Sequence, residues 1–222
     1  PPLILFALGF LLLMLLVAIF GHLLAPRDYM AMNLAARLTE PVFAGGGWEH
    51  PLGTDELGRD VLSRLIASIR ISLGIAFAAT LVSAAIGVAL GFIAAFVRGR
   101  VEQTILMVID AQAAMPFMII ALAVLAFLGN SLILFTVLLG FYGWERIARI
   151  ARGLAIAAQE QNYAAAVRDL GASPWRVYGR HILPNIANLL IVQGTIQFSL
   201  GILAEAGLSY VGLGAQPPTP SW

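Results

Sequence analysis

The chain alternates between long apolar runs and shorter polar stretches. Residues 3–24 are almost unbroken apolar side chains. Their 22 positions make about 33 Å of helix at about 1.5 Å per residue, enough to cross a hydrocarbon core about 30 Å thick. A signal peptide is the rival reading, but its apolar region runs to only about 7 to 15 residues, and no A-x-A site follows. Residues 26–60 are polar and rich in Gly and Pro, with Gly45, Gly46 and Gly47 in succession, which predicts an extramembrane loop. From Asp60 the pattern becomes helical. Val61, Leu62, Leu65, Ile66 and Ile69 share one face, and Ser63, Arg64, Ala67, Ser68 and Arg70 fill the other. This predicts an interfacial amphipathic helix, capped by Asp60 and lying on the membrane.

A second span is expected over 71–97. Ala79, Ser83, Gly87, Gly91 and Ala95 recur every four residues along it. Such a ladder lets helix backbones approach closely in lipid, within the subunit or against a partner, although general small-residue richness produces the same spacing. After a turn at 98–103, a third span is expected over 105–128, carrying Asp110, Gln112 and Pro116. A carboxylate at the bilayer centre costs about 2.5 to 3.5 kcal/mol on insertion scales, so Asp110 should face protein or water. It either lines a pathway or anchors a structural hydrogen bond. The 14 residues of 131–144 rise only about 21 Å, so a fourth span is expected to continue to 147 with Arg146 snorkelling. Arg146, Arg149 and Arg152 then recur every three residues and would suit an anionic lipid surface or an acidic partner groove. A fifth span over 186–208 bears Gln193, Gln197 and Glu205, the last either a solvated carboxylate at the helix end or a pathway group.

Composition narrows the class. Of 222 residues, 60% are hydrophobic and 11% charged, against about 25% charged in soluble domains, and the mean hydropathy is +0.89. An all-α polytopic membrane protein follows. Cysteine is absent and all 13 basic residues are arginine. A P-loop, a lysine Schiff base and a thiolate metal site are thereby excluded from these residues. There is no H-E-x-x-H or G-x-S-x-G, and His22, His50 and His181 lie in different segments, which argues against an intramembrane enzyme. Nucleic acid is a poor partner for such spans. The start at Pro1-Pro2 and the end at Ser221-Trp222 suggest part of a longer subunit.

The remaining polar stretch, 159–185, reads as two short helices around a joint. Residues 163–170 are good helix formers, Gly171 can end a helix, and Ser173-Pro174 looks like a cap followed by a first helical position. A second short helix over 175–182 should stop near Leu183-Pro184-Asn185. This stretch resembles the cytoplasmic coupling loop of ABC importer permeases, whose pattern is Glu-Ala-Ala, three residues, Gly, nine residues, Ile-any-Leu-Pro. Aligned on Gly171, the spacing to Leu183 and Pro184 fits, while Ala165, Val167 and His181 depart from the pattern. Arg180 to Asn185 is similar to the dipeptide, oligopeptide and nickel branch. So are His50 to Asp55, Gly58 to Asp60 and the stretch from Glu205 to Trp222, in the same order.

The resemblance implies a type I ABC importer permease fold, with five transmembrane helices here and a sixth beyond them. It assigns ATPase coupling to Ala164, Ala165, Ala166, Leu170, Gly171, Ala172, Ser173, Pro174, Trp175 and Arg176, and the end of the loop to His181, Leu183 and Pro184. It also implies a second homologous permease subunit, two ATPase subunits that bind ATP and Mg, an extracytoplasmic solute-binding protein and a bacterial inner-membrane location. Asp110, Gln112, Gln197 and Glu205 are the candidate pathway or structural polar groups. Segments 98–103 and 145–185 hold eight arginines against five in 26–70, which places the elbow in the cytoplasm and the amphipathic helix outside. The expected organisation is a first transmembrane helix at 1–25, an external loop with its interfacial helix at 26–70, and a permease core at 71–222. That core holds spans at about 71–97, 105–128, 131–147 and 186–208, with a coupling loop at 148–185. An ion-coupled secondary transporter, or a permease for nickel or opines, is the alternative.

Overall fold

The structure, a computed structural model of the chain, describes residues 2–129, 131–161, 167, 169–214 and 219–220. Helices dominate and no named strand occurs among these residues. They are α1 (Pro2–Leu24), α2 (Val61–Val97), α3 (Gly99–Ala114), α4 (Phe117–Leu128), α5 (Leu132–Gly140), α6 (Trp144–Gln159) and α7 (Pro174–Tyr210). Helices α1, α2 and α7 are each long and apolar enough to cross a membrane, and α3 with α4 passes the same test only as a pair bent by 84°, the form of a broken span or a re-entrant loop. By length and composition, three helices, or four with the bent pair, qualify among the described residues, while the runs at 105–128 and 131–147 are interrupted.

Contacts divide the chain into two units. The first contains α1, the loop, the start of α2 to Ile75 and the segment from Glu205. The apolar side chains of α1 are exposed almost throughout, as a helix bathed in lipid requires, and only Gly21 is buried, against Ile66. Asp60 caps α2: its Oδ2 accepts the Ser63 backbone N–H at 2.8 Å and the Ser63 hydroxyl at 2.7 Å. Its Oδ1 lies 3.0 Å from His50 Nδ1, and both side chains are buried. Burial opposes ionisation of Asp60, but the Ser63 and His50 hydrogen bonds outweigh it and hold the carboxyl below the usual carboxylate range. Asp55 behaves alike: against burial stand the N–H groups of Arg59 and Leu57 and the Arg59 guanidinium, and its carboxyl is lowered too. The stretch from His50 to Asp60 is thus a cross-braced cap on α2 rather than a slack linker. Helix α2 then runs without interruption through the expected boundary at Arg70 and Ile71. Nothing in 61–70 halts a helix, so the amphipathic segment and the span form one rod.

The second unit comprises Ala76–Gly129 and Ile133–Ala204. Here the small-residue ladder meets α6. A Cβ added at Gly91 would lie 2.6 Å from Ala148 O and 2.9 Å from Ala151 Cβ, and one at Gly87 would meet Trp144 O and Ile147. Helix α6 answers with a buried face of Trp144, Ile147, Ala148, Ala151, Ala155 and Ala158. The ladder is therefore an interface within the chain.

Two expected spans are broken. Pro116 divides 105–128 into α3 and α4, because a proline lacking an N–H and crowding the carbonyl four residues back disrupts a helix interior. The run over 131–147 does not continue as one helix: α5 ends at Gly140, α6 starts at Trp144, and Phe141, Tyr142 and Gly143 intervene. Such a break at membrane depth must have its backbone carbonyls satisfied by protein. Three helices supply the donors. The Ser83 hydroxyl of α2 lies 2.7 Å from Gly140 O and 2.8 Å from Tyr142 O, so one proton is shared between two acceptors. Gln197 Nε2 of α7 donates to Tyr142 O at 2.5 Å, and Gln112 Nε2 of α3 reaches Phe141 O at 3.5 Å.

Candidate coupling elbow

Gly171 has φ +77°, the left-handed conformation that stops a helix at low cost only for glycine. The Ala172 N–H reaches back to Val167 O at 3.3 Å, the six-to-one bond of a Schellman end. The chain then turns through Ser173 in extended conformation, and Pro174 begins α7. The expected serine cap does not form. Its hydroxyl makes no cap bond, and the backbone carbonyl of Ser173 instead accepts the N–H groups of Arg176 and Val177.

Leu170 and Trp175 flank this joint, each 87% exposed, and Gly171, Ser173, Pro174 and Arg176 are exposed with them. Ala172 packs inward. Ala164, Ala165 and Ala166 lie outside the described residues. The second helix does not stop at Leu183-Pro184 as expected. Residues Val177–Ile182 are wound as a π-helix, and the rod passes straight into Leu183–Tyr210. Pro184 would clash with a tightly wound turn before it, and the wider π winding lies where that ladder must open. Asn185 Nδ2 takes the carbonyl of His181 at 2.6 Å. His181 and Leu183 are half-buried and Pro184 is exposed.

What holds the elbow was not among the expected residues. Tyr178 is buried with Val177, Ile182 and Ile186 against Ala95 of α2 and Ala155 and Ala158 of α6. Its ring meets Phe92 and Phe96 edge-on, with centroids 5.2 Å and 5.9 Å away. Gln159 Nε2, at the end of α6, donates to the Tyr178 hydroxyl at 2.5 Å and to Ala95 O at 3.4 Å. A pattern was there to read: Tyr178, Ile182 and Ile186 recur every four residues. The elbow thus couples an exposed apolar tip to a root wedged between two other helices.

The remaining candidates separate by role. Gln112 and Gln197 are the donors that close the α5–α6 break. Glu205 is buried, not solvated: Ser209 donates to its Oε1 at 2.8 Å, and Ser72 stands beside it. Asp110 is exposed but paired, 2.8 Å from Arg149 Nη2. Arg152 pairs with Glu102. Two of the three arginines thus bind acids on α3 within the chain. No group of three or more His, Cys, Asp or Glu fit to hold a metal occurs among the described residues.

Long apolar helices, a break closed by donors from other helices and a glycine-hinged elbow are the features of a helical membrane protein. Comparison with known proteins makes the class specific. Residues 87–222 match the family model described as "Binding-protein-dependent transport system inner membrane component", and residues 2–41 match "N-terminal TM domain of oligopeptide transport permease C". The chain belongs to the family of binding-protein-dependent transport system inner membrane components. It is 39% identical to the di/tripeptide transport system permease protein DppC of Pseudomonas aeruginosa (strain UCBPP-PA14), over 97% of this chain and 73% of that protein. Identity to the glutathione transport system permease protein GsiD of Pectobacterium atrosepticum is 33%, over 96% of this chain and 69% of the relative. For the dipeptide transport system permease protein DppC of Bacillus subtilis the figures are 32%, 96% and 65%. These relatives are permeases, and the family places this chain in the inner membrane.

Proposed function

We propose that this chain forms part of the translocation pathway of an ATP-driven importer for peptides or similar small solutes, and that the elbow at Gly171 is its handle. It pairs with a second, homologous permease subunit. Two ATPase subunits bind ATP and Mg and grip Leu170 to Arg176 from the cytoplasm, and an extracytoplasmic binding protein delivers the solute. The peptide class comes from relatives named for di/tripeptide, dipeptide and glutathione transport.

The observation that carries the reading is the pairing of an exposed tip with a buried root. Leu170 and Trp175 offer apolar surface to a partner groove, and Tyr178 transmits its movement to α2 and α6. Closure of the ATPase dimer moves the elbow as a rigid body and swings the helices between inward-open and outward-open states.

Gly171→Arg tests it. A Cβ at Gly171 meets nothing within 4 Å, so the cost to this chain is the left-handed backbone alone, about 1 to 2 kcal/mol. The variant should insert and assemble, yet transport nothing, because the arginine fills the partner groove. Normal uptake by this variant would remove the coupling role. ATP hydrolysis by the assembled transporter against a panel of loaded binding proteins then sorts the cargo: peptides support the reading, and nickel or opine alone keeps the mechanism and changes the solute.

A further inference from the structure

A cleft of about 330 Å³ opens between α3, α6 and α7, walled by Ala113, Glu145, Arg146, Arg149, Ile150 and Gln193. Glu145 is only 7% exposed, and its Oε2 has no hydrogen-bond partner among the described residues. Glu145 lines the cleft, and a buried carboxylate short of one partner asks what completes it. The nearest cation does not satisfy it. Arg146 Nε stands 3.9 Å from Glu145 Oε1, beyond hydrogen-bond range, with its side chain half exposed. Arg149 is turned to Asp110.

The lining selects among ligands. A bare metal ion would find one carboxylate and two guanidinium groups, too few oxygens and repelling charge. A simple anion would pair with the guanidinium groups and leave Glu145 short of its partner. A solute carrying both signs meets a partner at each end. We propose that this cleft is a subsite on the translocation path for the amino terminus of a peptide: its ammonium group donates to Glu145, and the carbonyl or carboxylate beyond it meets Arg146 and Gln193. The volume is at the lower end of small-molecule sites, about 300 to 1,000 Å³, which suits the first residues of a peptide rather than a long chain. The inference rests on the peptide reading above and names the atoms that would serve it.

The test uses the full-length subunit assembled with its sister permease, ATPases and binding protein, in phosphatidylcholine and phosphatidylglycerol vesicles, where no lipid carries a primary amine. These 222 residues hold no cysteine, so in a full-length subunit kept cysteine-free elsewhere Ala113→Cys places a single thiol on the cleft wall. Trialanine delivered by the binding protein should slow its modification by a charged methanethiosulfonate at least tenfold. Glu145→Gln should abolish that protection and cut trialanine uptake at least tenfold, while ATP hydrolysis stimulated by the loaded binding protein persists. Protection is read even if Glu145→Gln fails to assemble. Trialanine uptake by the unsubstituted transporter without protection of the thiol, or unchanged uptake by Glu145→Gln, overturns the subsite alone. No trialanine uptake by the unsubstituted transporter overturns the peptide reading and the subsite with it.

Discussion

Asp60 concentrates several roles in one carboxylate: it caps α2, binds Ser63 twice and lies against the buried imidazole of His50. Its carboxyl titrates lower in the folded chain than its ordinary value of 3.8. The stability it adds is therefore complete above that value and is lost as pH falls below it, through the folded pKa. Amide exchange over residues 50–63, corrected for the intrinsic rate, should show protection constant at neutral pH and falling away below about pH 4. Asp60→Ala should remove about 2 kcal/mol of that protection at neutral pH, the upper range for a lost N-cap, and flatten the acid dependence. An unchanged acid profile in the variant would show that another group sets it. The same scale explains what a sequence reading can see of the elbow. Gly171 was legible because left-handed backbone has few candidate residues. For Tyr178 only the four-residue spacing with Ile182 and Ile186 was legible, not its role, because its partners Phe92, Phe96 and Gln159 come from other helices.

Helices α2 and α6 owe their closeness to absent side chains, and the break between α5 and α6 owes its survival to borrowed donors. Gly91→Leu would drive atoms into the Ala148 carbonyl and Ala151, and backbone cannot yield as a side-chain tip can. The α2–α6 pair should separate and the subunit should fail to assemble, read as loss of the folded species in detergent gel filtration. Ser83→Ala is gentler. It leaves Gly140 and Tyr142 carbonyls without the shared hydroxyl, at about 1 to 3 kcal/mol for a buried acceptor left unmade, and should lower the melting temperature while the subunit still assembles. An unchanged melting temperature would mean the carbonyls find water instead. These contacts also mark where sequence reading ends. The apolar runs behind α1, α2 and α7 were long enough to be seen directly. The break at Phe141–Gly143 was not, because it is licensed by Ser83, Gln112 and Gln197, residues 29 to 59 positions away. The arginines of α6 looked free for the same reason: Asp110 and Glu102 lie 39 and 50 positions from Arg149 and Arg152.

For the transporter as a whole, the question is whether movement at the elbow reaches the helices around the pathway. Shifting a two-state equilibrium from 1:99 to 99:1 takes about 5.5 kcal/mol of differential interaction, and all of it must pass through whatever joins elbow to membrane. Among the described residues that join is the cluster around Tyr178, against which Val167 and Ala172 also pack, while Leu170 and Trp175 face solvent. Removing a buried aromatic ring costs about 3 to 5 kcal/mol, the same order as the work to be transmitted. If the exposed tip is the docking surface, as proposed, Tyr178→Ala leaves it untouched: the transporter should keep its ATPases and still hydrolyse ATP, but move several-fold less solute per ATP. Tyr178→Phe keeps both ring contacts and loses the hydroxyl with its Gln159 bond, about 1 kcal/mol, so its transport ratio should stay near normal. The check is uptake and hydrolysis measured together in the same proteoliposomes. An unchanged ratio in Tyr178→Ala would mean that the elbow's motion reaches the membrane by another route. A loss of hydrolysis and uptake in proportion would instead show that the ring supports docking rather than transmission.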